Sequence, residues 1–431
     1  MGQVAAKVAK SALRDALSHP EAIARIRVDP RGVLDAAFRA AHVAIEDTFR
    51  AHYEEAGWVV ERHRDGYLTR TRQGGGVEVP PMCIHGGTTA TVLLLLDGHR
   101  AVVANVGDST AIVSGLGRAG VLRPVEEWSP LQRATSPVVK VDDGGLLSPS
   151  SFFLPSQRAG AASATEVGQS GVCGCSGGSC VVARRFGCTV PLPCLAPALP
   201  PVPPTVASSY MELSADHSPE CAAEFARIAS FRPHGSVPHH PELLFVYDTL
   251  TASKLACPSI FEVNNSGSAA RTERGAYYKN VRCEWATLVA TPPHAPFQDA
   301  LAFTRSLGDL HLQTYGVSHI PEVWWLDLAV LEDGVAKAPL VPHAIAIVVA
   351  SDGVWDNWKF EEVASVVLAR GTLAQVIHTD SAQGAADALM AANLERARVN
   401  FGQSADNMTA ICMYLIPATE PGLPVAAVAV T

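Results

Sequence analysis

The chain has 431 residues, 48% hydrophobic and 17% charged, which is enough to bury one large core or two ordinary ones. A formal net charge of −9 argues against a nucleic-acid partner, because that binding depends on Lys and Arg side chains that neutralise phosphates. The longest aliphatic run, Val92 to Leu96, is far too short for a membrane span, and no apolar run of signal-peptide length opens the chain. We therefore expect a soluble protein of the cytoplasm or nucleus, with no membrane partner.

Half of the ten cysteines crowd into one Gly-, Ser- and Pro-rich stretch, and the others are scattered, as is typical of a reducing compartment. The crowded cysteines have irregular spacing, no Cys-x-x-Cys pair and no neighbouring histidine, so the pattern predicts no structural zinc. They are Cys173, Cys175, Cys180, Cys188 and Cys194.

Two amphipathic helices are predicted at the start, over residues 3–18 and 33–55. Asp29-Pro30 lies ahead of the second and is a helix start signal. The apolar positions that define the two faces are Val4, Val8, Leu13 and Leu17 in the first helix, and Val33, Leu34, Ala37, Phe38, Ala41 and Val43 in the second.

A β-hairpin is predicted next. Two apolar runs, 89–96 and 100–106, flank Asp97-Gly98-His99, and an Asp-Gly turn between such runs is a strong hairpin signal. The second strand of the hairpin ends at Gly107-Asp108-Ser109.

Composition divides the remaining chain. Residues 118–208 are rich in Pro, Ser, Gly and Cys and lack periodicity, which predicts a low-complexity insertion between two parts of one domain, 1–117 and 209–416. A second irregular stretch, roughly 232–298, has no predicted fold, and the tail 417–431 is predicted to be disordered.

The carboxyl-terminal part alternates strands and helices. An apolar strand over 344–350 leads into Ser351-Asp352-Gly353, two helices follow at about 360–370 and 382–398, and 409–415 is a final strand. Helices and strands without a βαβ rhythm are typical of an α+β fold with antiparallel sheets.

Four aspartates are candidates for a metal cluster. Asp352 leaves one apolar strand and Asp406 precedes another, so antiparallel pairing of those strands would bring both carboxylates to one sheet edge. Asp108 ends the hairpin and Asp356 follows Asp352 by one helical turn. Clustered carboxylates bind hard cations such as Mg²⁺ or Mn²⁺, which activate water for attack on phosphorus. Each aspartate also has an ordinary explanation as a turn or cap residue, and the residues alone favour that explanation over a metal site.

Six short blocks occur in an order that resembles the metal-dependent serine/threonine protein phosphatases of the 2C class (PPM type). In that family the blocks read GSTA, ANVGDS, LTxDHxP, TRSLGD, ASDGLWD and DNMT. Here they are Gly86-Gly87-Thr88-Thr89-Ala90, Ala104 to Ser109, Leu213 to Pro219, Thr304 to Asp309, Ala350 to Asp356 and Asp406 to Thr409. The resemblance covers roughly residues 2–117 and 209–416.

The resemblance implies an αββα sandwich, in which helices flank two antiparallel sheets, with a centre of two Mg²⁺ or Mn²⁺ ions. It implies that phosphoserine and phosphothreonine proteins are the substrates and that a metal-activated water removes the phosphate. Asp352 and Asp406 match ligands of one core metal, with Gly353 beside them in the cofactor site. Asp108 and Asp356, with Asp352, match a weaker third metal site. The remaining matched positions, Asp216, His217 and Thr304 to Asp309, are structural in the family.

One departure from the family pattern concerns the amino terminus. The family begins with a strand that carries a phosphate-binding Arg and an acidic ligand, and continues to a DGHGG block whose Asp bridges both metals. Met1 stands where that block should finish, so we expect an N-terminally incomplete sandwich with impaired catalysis. Asp97-Gly98-His99 is no substitute, because ten extended residues at about 3.3 Å each place Gly98 about 30 Å from Asp108.

Three hypotheses follow. The first is a protein serine/threonine phosphatase, supported by the Asp352 and Asp406 pair. The second is a catalytically inactive phosphatase-like module that binds phosphoproteins or regulates partners, supported by the missing DGHGG segment. The third is a structural scaffold, which predicts no metal binding.

Overall fold

The computed structural model describes residues 1–72, 80–96, 100–115, 122–128, 210–231, 241–251, 253–264, 267–328, 345–369, 381–415 and 428–430. The predicted Asp97-Gly98-His99 turn, the five crowded cysteines and most of the predicted 118–208 insertion lie outside these residues.

The four predicted helices form close to their predicted bounds, and the structure adds others that were not predicted. Asp29 caps the long third helix by accepting a hydrogen bond from the Gly32 amide at 2.8 Å, and Pro30 occupies its first position, so the predicted start signal is confirmed. Within the described residues the α-helices are α1 Gly2–Ser18, α2 Pro20–Ile26, α3 Pro30–Glu55, α4 Ala222–Ser230, α5 Leu310–Gln313, α6 Asp352–Trp355, α7 Phe360–Ala369 and α8 Ser381–Asn400. No described helix has an apolar stretch that could cross a membrane.

The buried faces of α1 and α3 differ in detail from the prediction. Helix α1 buries Ala5 and Ala9 rather than Val4 and Val8, which are only half-buried, because α1 packs against α3 and small side chains allow the two backbones to approach closely. Val43 of α3, predicted on the apolar side, is 47% exposed.

Two antiparallel sheets form the centre of the molecule. Sheet A has the strand order β19-β5-β6-β16-β8, and sheet B has the order β18-β17-β7-β9. The strands of the described residues are β1 Trp58–Arg62, β2 Leu68–Arg72, β3 Met82–Cys83, β4 Gly87–Thr88, β5 Ala90–Leu96, β6 Arg100–Val106, β7 Thr110–Ser114, β8 Arg123–Pro124, β9 Tyr210–Glu212, β10 Leu244–Tyr247, β11 Phe261–Val263, β12 Ala269–Arg271, β13 Thr287–Ala290, β14 Ala300–Leu301, β15 Leu307–Gly308, β16 Glu322–Asp327, β17 Ile345–Ala350, β18 Ala410–Leu415 and β19 Val428–Val430.

Side-chain alternation along the strands separates the core into layers. Leu94 and Val102 of sheet A face α1 and α3, whereas their neighbours Leu93 and Val103 face Ile347 of sheet B. The other side of sheet B packs against α6, α7 and α8. Strands β5 and β6 are therefore buried on both faces. This arrangement confirms the predicted α+β fold and its αββα sandwich.

Two segments differ from the predicted domain organisation. Arg123–Pro124, inside the predicted insertion, pairs with β16 at one edge of sheet A. Val428–Val430, inside the tail predicted to be disordered, pairs antiparallel with β5 at the opposite edge. A short run of Val and Ala suits an edge strand, but its pairing partner lies more than 300 residues away in sequence, so the local pattern did not reveal it.

Candidate functional site

Three neighbouring strands of sheet B end at one edge, and each brings an aspartate there. Ala350 of β17 pairs with Thr110 of β7 on one side and with Ala410 of β18 on the other. Asp108 comes two residues before Thr110, Asp352 two residues after Ala350, and Asp406 four residues before Ala410. The antiparallel pairing that the sequence analysis required of the two apolar strands is therefore present.

A cavity of about 200 Å³ opens at this edge. All four predicted site aspartates line it, as does Gly353. The full lining is Asp108, Asp248, Leu250, Tyr277, Lys279, Ala286, Thr287, Leu288, Ala302, Asp352, Gly353, Asp356, Asn357, Phe401, Ser404 and Asp406.

The loops that carry Asp352 and Asp406 are fastened to each other. The Ser351 hydroxyl donates to the Asn407 carbonyl at 3.3 Å and accepts from the Thr409 amide at 3.1 Å. Each carboxylate also accepts a hydrogen bond from the next amide along the chain, at 2.8 Å for Asp352 and 2.7 Å for Asp406. These local bonds fix the direction of both side chains.

Gly353 allows the two loops to lie in contact. A Cβ atom at this position would sit 2.2 Å from the Asn407 carbonyl oxygen, so any larger residue would force the loops apart. Its own carbonyl oxygen accepts from the side-chain amides of Asn357 and Asn393, each at 3.0 Å. Gly353 therefore packs the two loops together, and its predicted part in cofactor binding stays a prediction.

Burial and mutual repulsion dominate the electrostatics of the aspartates. Burial raises the pKa of Asp108 well above its ordinary value, and the Asp352 carboxylate raises it further. Burial likewise raises the pKa of Asp352, and Asp406 adds to the effect. Burial raises the pKa of Asp356 to about 7, against the opposing charge of Lys279. Such a set of carboxylates is stabilised by any cation that enters the cavity.

The Gly86–Ala90 and Ala104–Ser109 blocks contact each other beside Asp108. Gly107 has a left-handed conformation with φ of 101°, and a Cβ there would lie 2.2 Å from the Thr89 side chain. The Thr89 and Ser109 hydroxyls are 2.8 Å apart. These contacts between the two blocks hold the turn that carries Asp108 in place.

His217 has the structural place predicted for it. It is 2% exposed, its Nδ1 lies 3.1 Å from the Gly107 amide, and burial lowers its pKa to about 3. Its backbone carbonyl accepts from the Thr304 hydroxyl at 3.1 Å. The Asp216 carboxylate accepts from the Thr110 hydroxyl at 2.7 Å.

A buried ion cluster ties the Thr304–Asp309 block to α4. Glu224 is 4% exposed and accepts hydrogen bonds from Thr304, Arg227 and Arg305. These contacts lie away from the cavity, since none of the three partners lines it. They are structural, as the sequence analysis expected of this block.

The carboxylate oxygens that line the cavity are the kind of ligand that hard cations such as Mg²⁺ prefer. Within the residues that the structure describes, no three Asp, Glu, His or Cys side chains converge closely enough to form a metal site by themselves. Mg²⁺ commonly uses only one or two carboxylates and keeps several waters, so the pair Asp352 and Asp406 fits this cation without a third side chain.

Sequence reasoning missed the residues that close the cavity from the irregular 232–298 stretch. Asp248, Tyr277 and Lys279 line the cavity, and Tyr277 donates to the Asp248 carboxylate at 2.6 Å. Their segment has no apolar periodicity, and a single lysine between aromatic and polar residues carries no recognisable motif.

Comparison with known proteins agrees with the predicted resemblance. The family model described as Protein phosphatase 2C matches residues 60–126. "Probable protein phosphatase 2C 12" of Oryza sativa subsp. japonica is 36% identical over 116 residues, which are 27% of this chain and 24% of the rice protein. The chain thus spans about a quarter of the length of this curated relative.

Two solved structures are similar over 96% of this chain. "Crystal structure of serine-threonine phosphatase 2C from Toxoplasma gondii" has a TM-score of 0.42 and 13% identity, over 81% of that chain. "Structure of a C.elegans sex determining protein" has a TM-score of 0.36 and 12% identity, over 54% of that chain.

Proposed function

We propose that this chain, whose residues 60–126 match the family model described as Protein phosphatase 2C, is a protein serine/threonine phosphatase that works at the cavity beside sheet B. The observation that carries the proposal is that Asp108, Asp352 and Asp406, which come from three adjacent strand ends, line one cavity. Buried carboxylates repel one another, and groups perturbed in this way cluster at functional sites, so three aspartates that line one cavity suggest a site for a cation.

The implied cofactor is Mg²⁺ or Mn²⁺. Asp352 and Asp406 would hold one cation, and Asp108 and Asp356, with Asp352, would hold a weaker one. A bound divalent cation lowers the pKa of its water ligand and neutralises charge on the phosphoryl oxygens. The remaining coordination is left to water, which fits the small number of side chains that converge here.

The chain's own residues position the site and shape it for a phosphorylated side chain. Gly353 and Ser351 hold the two aspartate loops together, which fixes the spacing of their carboxylates. Leu250, Leu288 and Phe401 form an apolar flank of the cavity that suits the aliphatic part of a substrate segment. Phosphoserine and phosphothreonine proteins are the proposed substrates.

A second candidate function is a non-catalytic module that binds phosphoproteins. The cationic Lys279 in the cavity favours it, since an ammonium group can bind phosphate without any metal. Metal dependence separates the two candidates, because phosphopeptide binding by this module would not require Mn²⁺.

The test is Mn²⁺-dependent hydrolysis of a phosphothreonine peptide. We expect phosphate release that requires Mn²⁺ and falls by at least about 100-fold in Asp352→Asn, because that variant removes a carboxylate from the cation site. Asp387→Asn, an exposed change of the same kind on α8, is the matched control and should retain activity. Peptide binding without hydrolysis, unaffected by chelation, would instead establish the binding module.

A further inference from the structure

Lys279 reaches the cavity on a tight hairpin formed by residues 277–286. The Ala286 amide donates to the Tyr277 carbonyl at 3.0 Å, and the Lys279 amide donates to the Glu284 carbonyl at 2.7 Å. Cys283 at the turn has a left-handed conformation with φ of 61°. The hairpin is therefore a defined backbone element, and Lys279 lies on one of its arms.

The tip of the hairpin is fastened to the residues that follow Asp352. The Val281 amide donates to the Asp356 carbonyl at 3.2 Å, and the Asn280 side-chain amide donates to the Asp356 carboxylate at 3.3 Å. The Arg282 guanidinium donates to the Trp355 carbonyl and lies over the Phe360 ring, 4.7 Å from its centroid. This docking holds Lys279 at the cavity rather than in solvent.

Several acidic side chains share the lining of the cavity with Lys279. Its side chain is only 24% exposed, and its Nζ lies 3.6 Å from Glu284 Oε2. Although burial alone favours the neutral amine, the carboxylates of Asp108, Glu284 and Asp356 raise the pKa of Lys279 above its ordinary value. Lys279 is therefore charged at neutral pH.

The Glu284 carboxylate is not reserved for Lys279. This carboxylate already accepts from the Arg282 guanidinium at 2.9 Å and 3.1 Å and from the Asn280 amide at 2.7 Å. The positive charge of Lys279 therefore remains available to the site aspartates, with which it shares the cavity lining.

We infer that Lys279 is a tethered counter-cation of the aspartate cavity, which neutralises the site when no metal is bound and with which a divalent cation must compete. The inference rests on the proposed function, because it concerns the same cavity. At an effective dielectric constant of about 20, the repulsion between an ammonium group and a divalent cation several ångströms away is enough to weaken metal binding by roughly tenfold or more.

The first experiment measures Mn²⁺ affinity of the metal-free protein by calorimetry at fixed ionic strength. We expect Lys279→Gln to bind Mn²⁺ at least about tenfold more tightly than the wild type. The matched control Lys359→Gln removes the same charge from an exposed position just after Trp358, and its affinity should stay within about twofold.

The outcomes separate the inference from the proposed function. Equal Mn²⁺ affinity in the wild type and Lys279→Gln would contradict the counter-cation role of Lys279 but would not contradict the proposed metal centre. Equal Mn²⁺ affinity together with weaker binding of inorganic phosphate would assign Lys279 to phosphate binding, which likewise overturns the inference. Absence of Mn²⁺ binding in both folded proteins overturns the inference and the proposed function together.

A second measurement uses only the wild type, so it tests the inference even if the Lys279→Gln variant does not fold. Amine acylation is followed residue by residue by mass spectrometry, with and without Mn²⁺. If Mn²⁺ displaces the ammonium group, the labelling rate of Lys279 should rise several-fold on Mn²⁺ addition while that of Lys359 stays constant. An unchanged Lys279 rate at saturating Mn²⁺ contradicts the inference.

Discussion

The Gly353 Cα and the Asn407 carbonyl oxygen lie so close that a Cβ at position 353 would be 2.2 Å from that oxygen. This approach joins the Asp352 loop to the Asp406 loop. Since the second atom belongs to the backbone, a side chain at 353 cannot be accommodated by a rotamer change, and the two loops must separate.

Gly353→Ala should therefore reduce stability and metal binding together. We expect a loss of about 1–3 kcal/mol in the free energy of unfolding, typical of overpacking, and a lower Mn²⁺ affinity. Gly384→Ala is the matched control, because nothing lies within 4 Å of its added methyl group and Ala favours the helix. Chemical denaturation and Mn²⁺ titration of both variants check the prediction, and a neutral Gly353→Ala would contradict it.

Asp108→Asn should stabilise the metal-free protein while weakening metal binding. Burial and the Asp352 charge raise the pKa of Asp108, so the folded state prefers the protonated form, and its stabilising contribution at low pH is lost as the pH rises through the folded pKa. We expect a gain on the order of 1–2 kcal/mol at pH 7.5 and a smaller gain near pH 4.

The control for this change is Asp15→Asn on α1, where the carboxylate is 66% exposed. Thermal unfolding of both variants at the two pH values measures the effect. A loss of stability in Asp108→Asn at pH 7.5 would contradict the prediction and show that the favourable interaction with Lys279 outweighs the cost of burying the Asp108 charge.

Glu224→Gln should be among the most damaging changes outside the cavity. Burial opposes the charge of Glu224, but the hydrogen bonds from Arg305 and Arg227 lower its pKa below its ordinary value. The variant leaves two guanidinium groups without their carboxylate, which costs about 3–5 kcal/mol when a buried pair is broken. Glu395→Gln breaks an exposed pair with Arg398 and should change stability by less than about 0.5 kcal/mol.

The same cluster gives the wild type a pH dependence. Because the folded pKa of Glu224 lies below its unfolded value, its contribution is present above the unfolded pKa and is lost as the pH falls towards the folded one. Denaturation curves of the wild type and Glu224→Gln should therefore converge on acidification. Parallel curves from pH 7 to pH 3 would contradict this role.

His311 should make the protein acid-sensitive. It is 2% exposed, neither ring nitrogen has a hydrogen-bond partner in the described structure, and the rings of Tyr67, Phe297 and Tyr315 surround it. Burial lowers its pKa to about 4, so between pH 6.5 and 4 the unfolded chain binds a proton that the folded chain does not.

His311→Phe should accordingly stabilise the protein more at pH 5 than at pH 7.5, by roughly 1–2 kcal/mol. The exposed His294→Phe is the control. Urea unfolding at both pH values measures the difference. An equal effect of His311→Phe at the two pH values would show that the ring is not neutral and buried in solution.

Much of the site was predictable because its residues stand at strand ends. Asp352 and Asp406 border strongly apolar strands, and antiparallel pairing then determines that they meet. Val43 and Val428–Val430 were misjudged because their surroundings depend on chain segments distant in sequence. Lys279 was missed for the same reason, because its position at the cavity depends on the contacts of its hairpin with Trp355 and Asp356.

The most direct test of the metal site is anomalous X-ray diffraction from crystals of the wild-type protein soaked in Mn²⁺. We expect an anomalous peak in the cavity between the Asp352 and Asp406 carboxylates, with the Lys279 ammonium group moved away from its metal-free position. An ordered cavity without an anomalous peak, and with Lys279 unmoved at saturating Mn²⁺, would contradict the proposed metal centre.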